Sequence, residues 1–449
     1  GNNWNSHLIH AGFMNILGSL GFYFFLNKIK LNKKYALIYT LSFATLCYPV
    51  SGTPFAYLHS FIFSLLAIFV LLLGLITNKK NYWLLLPIIC FLSFLSMQTP
   101  AAYIIILILS FSVYYFIKDI RTENFKYFLF SGIFCSIVFL SYLLLSKTPI
   151  SNFIYQYILF PMTIGEGRIT SNELAYVSLI DQLNFKRIFG NFKFIHFFLL
   201  PLILILIKSW KKKDNYNILN LLIILSTIIF IFNQLLTANQ IYIFSLIPIL
   251  AAVLHINILR AKYSQKYIMI ILLIVLFATI KFHVRYNVDR KFHDLENIDK
   301  SKAVPAKIIH KNLNNLMWIT KLVSDPKEEA ETIKKAISVI EKDNRKKILI
   351  THYQFISTVL DTDLNILNRW YLWDNNTHPT EGHKYFQIYK DMVNRNVKKN
   401  NIKVIYLLGQ KNEILLDDVK NYFTDVCFES KTLEKNKFSV HKIIDCKLK

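Results

Sequence analysis

The chain has 449 residues, of which 54% are hydrophobic, 15% aromatic and only 18% charged. So much apolar mass with so little charge excludes an ordinary water-soluble enzyme and points to the bilayer. The net charge of +24 is large enough for a nucleic-acid-binding protein, but most of the imbalance lies beside apolar stretches. Lipid therefore explains it better, and nucleic acid is not expected as a partner.

Residues 1–284 hold 22 Lys+Arg against 6 Asp+Glu, whereas residues 285–449 hold 30 against 22. That break separates a membrane domain, 1–284, from a soluble domain, 285–449. The first residue is Gly1, with no charged leader ahead of the first apolar run. The chain is therefore read as starting inside a longer protein.

A helix crossing the hydrocarbon core needs ~20 apolar residues, and some manage with ~17. Runs of that kind fall at 8–27, 35–50, 57–77, 82–98, 100–117, 127–146, 194–209, 217–236, 240–259 and 266–283, which predicts about ten transmembrane helices. Pro100 reads as the start of its helix. The connections at 28–34, 78–81, 118–126, 208–213 and 260–266 hold 16 basic residues, while those at 51–56, 99 and 237–239 hold none. Basic loops stay in the cytosol. Both chain ends are then expected outside a bacterial inner (plasma) membrane, with the C-terminal domain periplasmic or extracellular. Trp4, Trp83 and Trp210 fall at expected membrane interfaces, where an indole is comfortable. No Asp or Glu lies within an expected span, which argues against a proton- or sodium-coupled pump.

The longest outer loop, 147–193, is dense in Tyr and Phe around Tyr155, Tyr157 and Phe160. It is expected to lie on the interface as a short amphipathic helix. Glu166 and Arg168, set between glycines, offer a carboxylate and a guanidinium to a substrate, and the planar fork of Arg168 suits a phosphate. An exposed ion pair in a turn is the alternative. Lys186 and Arg187 offer a second contact or rest against headgroups. In the uncharged loop Ser51-Gly52-Thr53-Pro54, leading into Tyr57 and His59, irregular backbone is tolerated where it lines a cavity. His59 is a candidate for a phosphate or a sugar hydroxyl, or else a helix-start histidine bonded to a neighbouring loop. Gln98 faces the same side with the same two readings.

Beyond residue 284 the period changes. Pro326–Lys342 has acids in its first turn and an amphipathic pattern, so it predicts a helix. Lys347–Thr351 predicts a buried strand, followed by a helix near 382–399 and a strand at Lys403–Leu408. A helix near 414–423 and strands at about 425–430 and 438–444 complete a small, partly parallel α/β sheet. Thr351-His352-Tyr353-Gln354 follows a strand, where α/β sites often form. His378 and His383 match no metal-binding spacing and read as two ordinary loop histidines. Cys47, Cys90 and Cys135 read as small core residues. For Cys427 and Cys446 a disulfide stays open, because the simple hairpin register does not place them opposite each other.

Many spans, a long outer loop in mid-chain, an outer α/β domain, Ser51-Gly52-Thr53-Pro54 opening one helix and Gln98-Thr99-Pro100 closing a hairpin together resemble the GT-C superfamily. These are polyprenyl-phosphate-sugar-dependent glycosyltransferases, such as the protein mannosyltransferases and the lipid A aminoarabinose transferase. The resemblance covers most of the chain as topology and rests on short motifs. It implies a polyprenyl-phosphate-linked sugar as donor and a glycan, lipid or protein acceptor at the outer membrane face. It places the family's catalytic Asp in the first outer loop, ahead of Gly1. Tyr57 and Met97 stand where related sequences often carry an acid and a Lys, and Tyr57 becomes a substrate contact. An inverting transfer needs a carboxylate base and a cation for the leaving phosphate. Glu166, Glu173 and Asp181 are the candidates for the first and Arg168 for the second. Some members use a divalent metal, but no ligand set is visible in this sequence. An O-antigen polymerase or ligase, a glycan-lipid flippase and a non-catalytic binding scaffold are the alternatives.

Overall fold

The structure is a computed structural model that describes residues 4–49, 52–53, 55–118, 122–170, 179–210, 215–237, 242–289, 298–320, 323–368, 377–409, 416–424 and 426–446. Ser51, Pro54, Asp119, Arg121, Glu173 and residues 211–214 lie outside the described residues.

The chain is mostly helical, with a small sheet region near the C-terminus. Each expected apolar run forms one helix: α1 (Trp4–Lys28), α2 (Lys33–Cys47), α3 (Ala56–Thr77), α4 (Lys80–Ser96), α5 (Gln98–Lys118) and α6 (Thr122–Leu145), then α10 (Lys193–Ser209), α11 (Asn215–Thr237), α12 (Leu246–Arg260) and α13 (Gln265–His283). Between them the loop holds α7 (Ile150–Phe153), a π-helical stretch Ile154–Leu159, α8 (Phe160–Thr170) and α9 (Leu179–Gln182). Among the described residues seven helices are long and apolar enough to cross a membrane, and not the expected ten. The shortfall has a local cause. α2 stops at Cys47, where Tyr48 is extended, and spans 15 residues. α4 and α10 reach only 17 residues each.

The outward faces of the long helices are greasy at helical spacing. Ile9, Phe13, Ile16 and Leu20 line one side of α1, and Met269, Leu273, Phe277 and Ile280 one side of α13, all exposed. In water such continuous apolar stripes would drive association, whereas hydrocarbon accepts them. Inside the bundle, packing is close where small residues allow it. A Cβ on Gly18 would stand 3.1 Å from Ile62, and one on Gly74 would stand 3.3 Å from Trp83. Trp83, in the first turn of α4, is fully buried among the helices and stacks on Tyr115 at 4.9 Å. The small Gly74 of α3 leaves room for the indole. Trp210 is 63% exposed.

The soluble region begins with a short antiparallel pair, β1 (Val304–Pro305) and β2 (Met317–Trp318). Next come α14 (Pro326–Lys342), β3 (Lys347–Thr351), α15 (Ile356–Leu360), α16 (Phe386–Lys399), β4 (Val404–Leu408), α17 (Leu416–Lys420), β5 (Cys427–Glu434) and β6 (Phe438–Ile444). The strand order is β3-β4-β6-β5, with β3 and β4 parallel and the other pairs antiparallel. Alternation along the strands makes three layers. Leu349, Tyr406 and Leu408 face Ile333 and Ile337 of α14, while Ile348, Ile350 and Ile405 face Val393 and Val397 of α16. Asp325 caps α14, its carboxylate accepting from the Lys327 backbone N–H at 2.9 Å, and Pro326 follows at the first helical position, as the sequence pattern requires. At the other end of α14 the Lys347 ammonium donates to the Ile340 carbonyl at 2.6 Å.

Cys427 and Cys446 form a disulfide with Cα atoms 5.0 Å apart. Cys427 pairs with Ile444 in the ladder, so Cys446 lies two residues past the paired position and turns back to reach it.

Candidate functional site

Two concavities lie where the α/β domain meets the helical bundle. The larger, about 1190 Å³, is a groove walled by Leu8 of α1, Ala44, Thr45 and Tyr48 of α2, and His283 and Asn287 at the end of α13. Its roof is the segment from Ala306 to Trp318 together with Phe355. Gly52 sits in this wall. Its φ of +65° is a left-handed conformation, and a Cβ there would meet the Leu8 side chain at 2.5 Å, so glycine serves both the turn and the close approach. The roof is held from behind. Trp318 Nε1–H donates to Glu329 at 2.9 Å, and the Trp318 and Phe355 rings lie 5.5 Å apart. The lining is mainly apolar, with His283, Asn287 and Asn315 as convergent polar groups. That is the make-up of a small-molecule cleft. Lys300, Lys302, Lys307 and Lys311 lie along the chain leading into the roof.

The second concavity, about 200 Å³, lies where the 150–170 loop docks on the domain. Here α7 and α8 meet α16 and the turn before it. Arg395 donates to the Asn152 side chain at 3.0 Å, and Lys384 pairs with Glu166 at 3.6 Å. His383 ties the two parts together. Its Nδ1 accepts the Tyr385 backbone N–H at 3.1 Å, which leaves the proton of the neutral ring on Nε2. Nε2–H then donates to Thr163 Oγ1 at 3.1 Å, and the Thr163 hydroxyl donates to the Phe160 carbonyl at 2.7 Å.

Burial, with Lys384 adding to it, pushes the His383 imidazole below its ordinary value of 6.5. A depressed folded value means that the contribution to docking is fully present above about pH 6.5 and is lost as pH falls through the folded value. The protection factors of residues 160–170, which compare exchange with the intrinsic rate at each pH, are therefore expected to fall between about pH 7.5 and pH 5. His383→Phe is expected to flatten that dependence. Protection factors that do not change with pH in the wild type would remove His383 from this role.

The residues proposed from sequence are placed as follows. Glu166 is exposed and pairs with Lys384 of the domain at 3.6 Å. Arg168 and Arg187 are half-buried, and the Arg187 backbone N–H is bound by Asn184 at 2.9 Å. Tyr57 is buried in the bundle, where its hydroxyl accepts from Asn233 at 3.2 Å. His59 Nδ1–H donates to the Phe55 carbonyl at 2.7 Å, and its Nε2 meets His10 Nε2 at 2.8 Å. Gln98 donates to the Tyr157 carbonyl at 2.9 Å, and the Tyr157 hydroxyl donates to the Phe94 carbonyl at 2.6 Å. Gln98 thus anchors the loop to the bundle. None of the six lines either concavity. His378 packs on Tyr389 and Tyr422, apart from the Thr163 contact of His383. Among the described residues no three His, Cys, Asp or Glu side chains come together as a metal site.

Gly52, in the loop expected to line a cavity, does line the groove, but the groove residues outside that loop were missed in the sequence. Trp318 and Phe355 carry no motif, and His283 reads there only as the last residue of a span.

Together these features define a class, the multi-pass helical membrane proteins, with a small α/β domain seated on one end of the bundle. No protein-family model matches the chain, and no curated protein matches it.

Proposed function

We propose that this chain is a membrane glycosyltransferase that moves a sugar from a polyprenyl-phosphate donor to an envelope glycan, lipid or protein acceptor at the outer face of a bacterial plasma membrane. The groove under the α/β domain carries the reading. A ligand that fits it has a long apolar part for Leu8, Leu316, Trp318 and Phe355 and a polar head for His283, Asn287 and Asn315. A lipid phosphate has that form, and the nearby lysines favour its charge.

Three further observations support the membrane arrangement. Leu8, at the start of α1, and His283, at the end of α13, line one groove, so the bundle begins and ends on one side. An even number of crossings is needed for that, which seven do not give. In this reading the shorter α2, α4 and α10 complete ten, with the bilayer thinning around them. The basic connections alternate along the chain with uncharged ones, which favours cytosol on their side. The Cys427–Cys446 disulfide favours an oxidising compartment for the domain.

In the transfer step an acceptor hydroxyl oxygen bonds to the sugar C1 as the bond from C1 to the phosphate oxygen breaks. The lipid phosphate leaves with the electron pair, and the hydroxyl proton passes to a base. His283 supplies the basic nitrogen on the groove wall, and Asn287 donates to the leaving phosphate. Arg168 and Arg187 are the candidates for further phosphate contact from the loop.

Binding of undecaprenyl phosphate to the full chain in nanodiscs tests this reading. Asn287→Ala removes one charge-assisted hydrogen bond and is expected to raise Kd about tenfold, while leaving binding of undecaprenol unchanged. Equal affinity for the alcohol and the phosphate in the wild type would sink the proposal. So would the absence of sugar transfer from a radiolabelled polyprenyl-phosphate sugar in membranes carrying the chain.

A further inference from the structure

We infer that the cleft between the membrane loop and the α/β domain is a subsite for one neutral hexose unit of a glycan. The inference deepens the transferase reading by naming an acceptor, and it rests on that reading only for the acceptor role.

The cleft is built from both parts of the chain. Asn152, Tyr155 and Gln156 come from the loop, and Asn368, Tyr385 and Tyr389 from the domain. At about 200 Å³ it falls below the ~300–1,000 Å³ of clefts for drug-sized ligands, so it holds one ring and not a lipid chain. Among the described residues no Asp, Glu, Lys or Arg lines it, and His378 is its one imidazole. A phosphate, a uronic acid or an amino sugar would lose water there without a carboxylate, ammonium or guanidinium among those side chains to pair with.

What lines it instead is matched to a sugar. The Tyr155 and Tyr385 rings lie 5.8 Å apart at 58° and make an angled aromatic wall. Such faces suit the apolar C–H side of a pyranose, while the phenol tip stays available for a hydroxyl. The amides are fixed at one end and open at the other. Asn152 Oδ1 accepts from Arg395 at 3.0 Å, which leaves its Nδ2 to donate. Asn368 Nδ2 donates to the Tyr389 hydroxyl at 2.6 Å, which leaves its Oδ1 to accept. A donor and an acceptor held on opposite walls suit hydroxyl groups, since each of these can both give and take a hydrogen bond. A purely apolar ring would leave both amides desolvated and unpaired.

Because the walls belong to two parts of the chain, occupancy also reports docking of the loop. A sugar bridging Asn152 and Asn368 would hold the 150–170 segment on the domain, in parallel with the contact from His383 to Thr163.

The test is saturation-transfer NMR on the full chain in nanodiscs with methyl glycosides of glucose, galactose and mannose, and methyl glucuronide as the charged comparison. Transfer to at least one neutral glycoside is expected, with none to the glucuronide. Asn368→Ala and Tyr155→Ala are each expected to weaken binding at least about tenfold, and Tyr155→Phe, which keeps the ring face, to retain it. Because Tyr155→Phe preserves packing, it separates loss of the wall from loss of the fold. No transfer to any neutral glycoside, or transfer in both alanine variants equal to that of the wild type, overturns the inference. Undecaprenyl phosphate binding, measured on the same samples, keeps the two readings apart. Lipid binding without sugar binding sinks only the subsite. Sugar binding without lipid binding sinks the transferase reading and leaves a glycan-binding cleft.

Discussion

Replacing Glu329 by leucine is expected to lower the stability of the α/β domain by about 2–4 kcal/mol, since a buried donor left without its acceptor costs about 1–3 kcal/mol. Glu329 is 4% exposed and sits in the first turn of α14. Among the described residues its carboxylate accepts from three donors on two segments of chain: Trp318 Nε1–H at 2.9 Å, the Thr320 hydroxyl at 3.0 Å and the Tyr353 hydroxyl at 2.8 Å. Leucine fills much of the volume but accepts nothing. An indole N–H and two hydroxyls must then stay buried without this acceptor or pull away toward water.

For a domain of this size the thermal midpoint should fall by roughly 10 °C, which calorimetry on the full chain would measure. A second effect separates position from bulk stability. Trp318 lines the groove roof and packs on Phe355, so Glu329 acts as a positioning residue for the proposed lipid site. Glu329→Gln retains one carbonyl acceptor but turns an amide N–H toward a donor. It is expected to cost less stability while still weakening lipid-phosphate affinity. A leucine variant that melts with the wild type would mean that the three donors find equivalent partners elsewhere. The network would then not hold the roof.

Local physics made much of the soluble region legible. Asp325-Pro326 with Glu328 and Glu329 behind it reads as a helix start, because cap, proline and dipole all agree there. Lys347–Thr351 is buried along its whole length, and an uninterrupted apolar strand flanked by helices is the signature of a sheet covered on both faces. The apolar runs of the membrane region each became one helix, but their count as spans did not follow. Length depends on where a helix stops, and α2 stops at Cys47 for reasons set by the Tyr48 backbone and the turn at Gly52.

The candidate site was less legible because its parts are far apart in sequence. Glu166 and Arg168 stood out by residue type within one loop, while Lys384, which pairs with Glu166, lies more than 200 positions further along the chain. Tyr57 looked like a residue on a loop edge, but Asn233 meets its hydroxyl across 176 positions of sequence. The groove draws on α1, α2, α13, the β1–β2 segment and Phe355. No spacing rule brings such pieces together. What the sequence did carry was the kind of surface they would form, an apolar membrane region meeting a basic soluble one.

That meeting has a side, and the cysteines report it. If the chain is alkylated in denaturant without reductant, straight from cells, three cysteines are expected to react: Cys47, Cys90 and Cys135. All five should react after reduction, because Cys427 and Cys446 are bonded. A disulfide closing a loop with a sequence separation of 19 should contribute about 3 kcal/mol through loss of unfolded-chain freedom. The double variant Cys427→Ser, Cys446→Ser should therefore melt earlier, by roughly 10 °C, with β5 and β6 exchanging first. The thiol count decides more than stability. A cytosolic domain would be kept reduced, so five reactive thiols without reductant would place β5 and β6 in the cytosol. The groove and the hexose cleft would then open toward that compartment too, since both are built partly from the same domain, and transfer at the outer face would fall with them. Three reactive thiols would leave the basic connections on the cytosolic side and the lipid groove on the other, which is the arrangement that sugar transfer outside the cell requires.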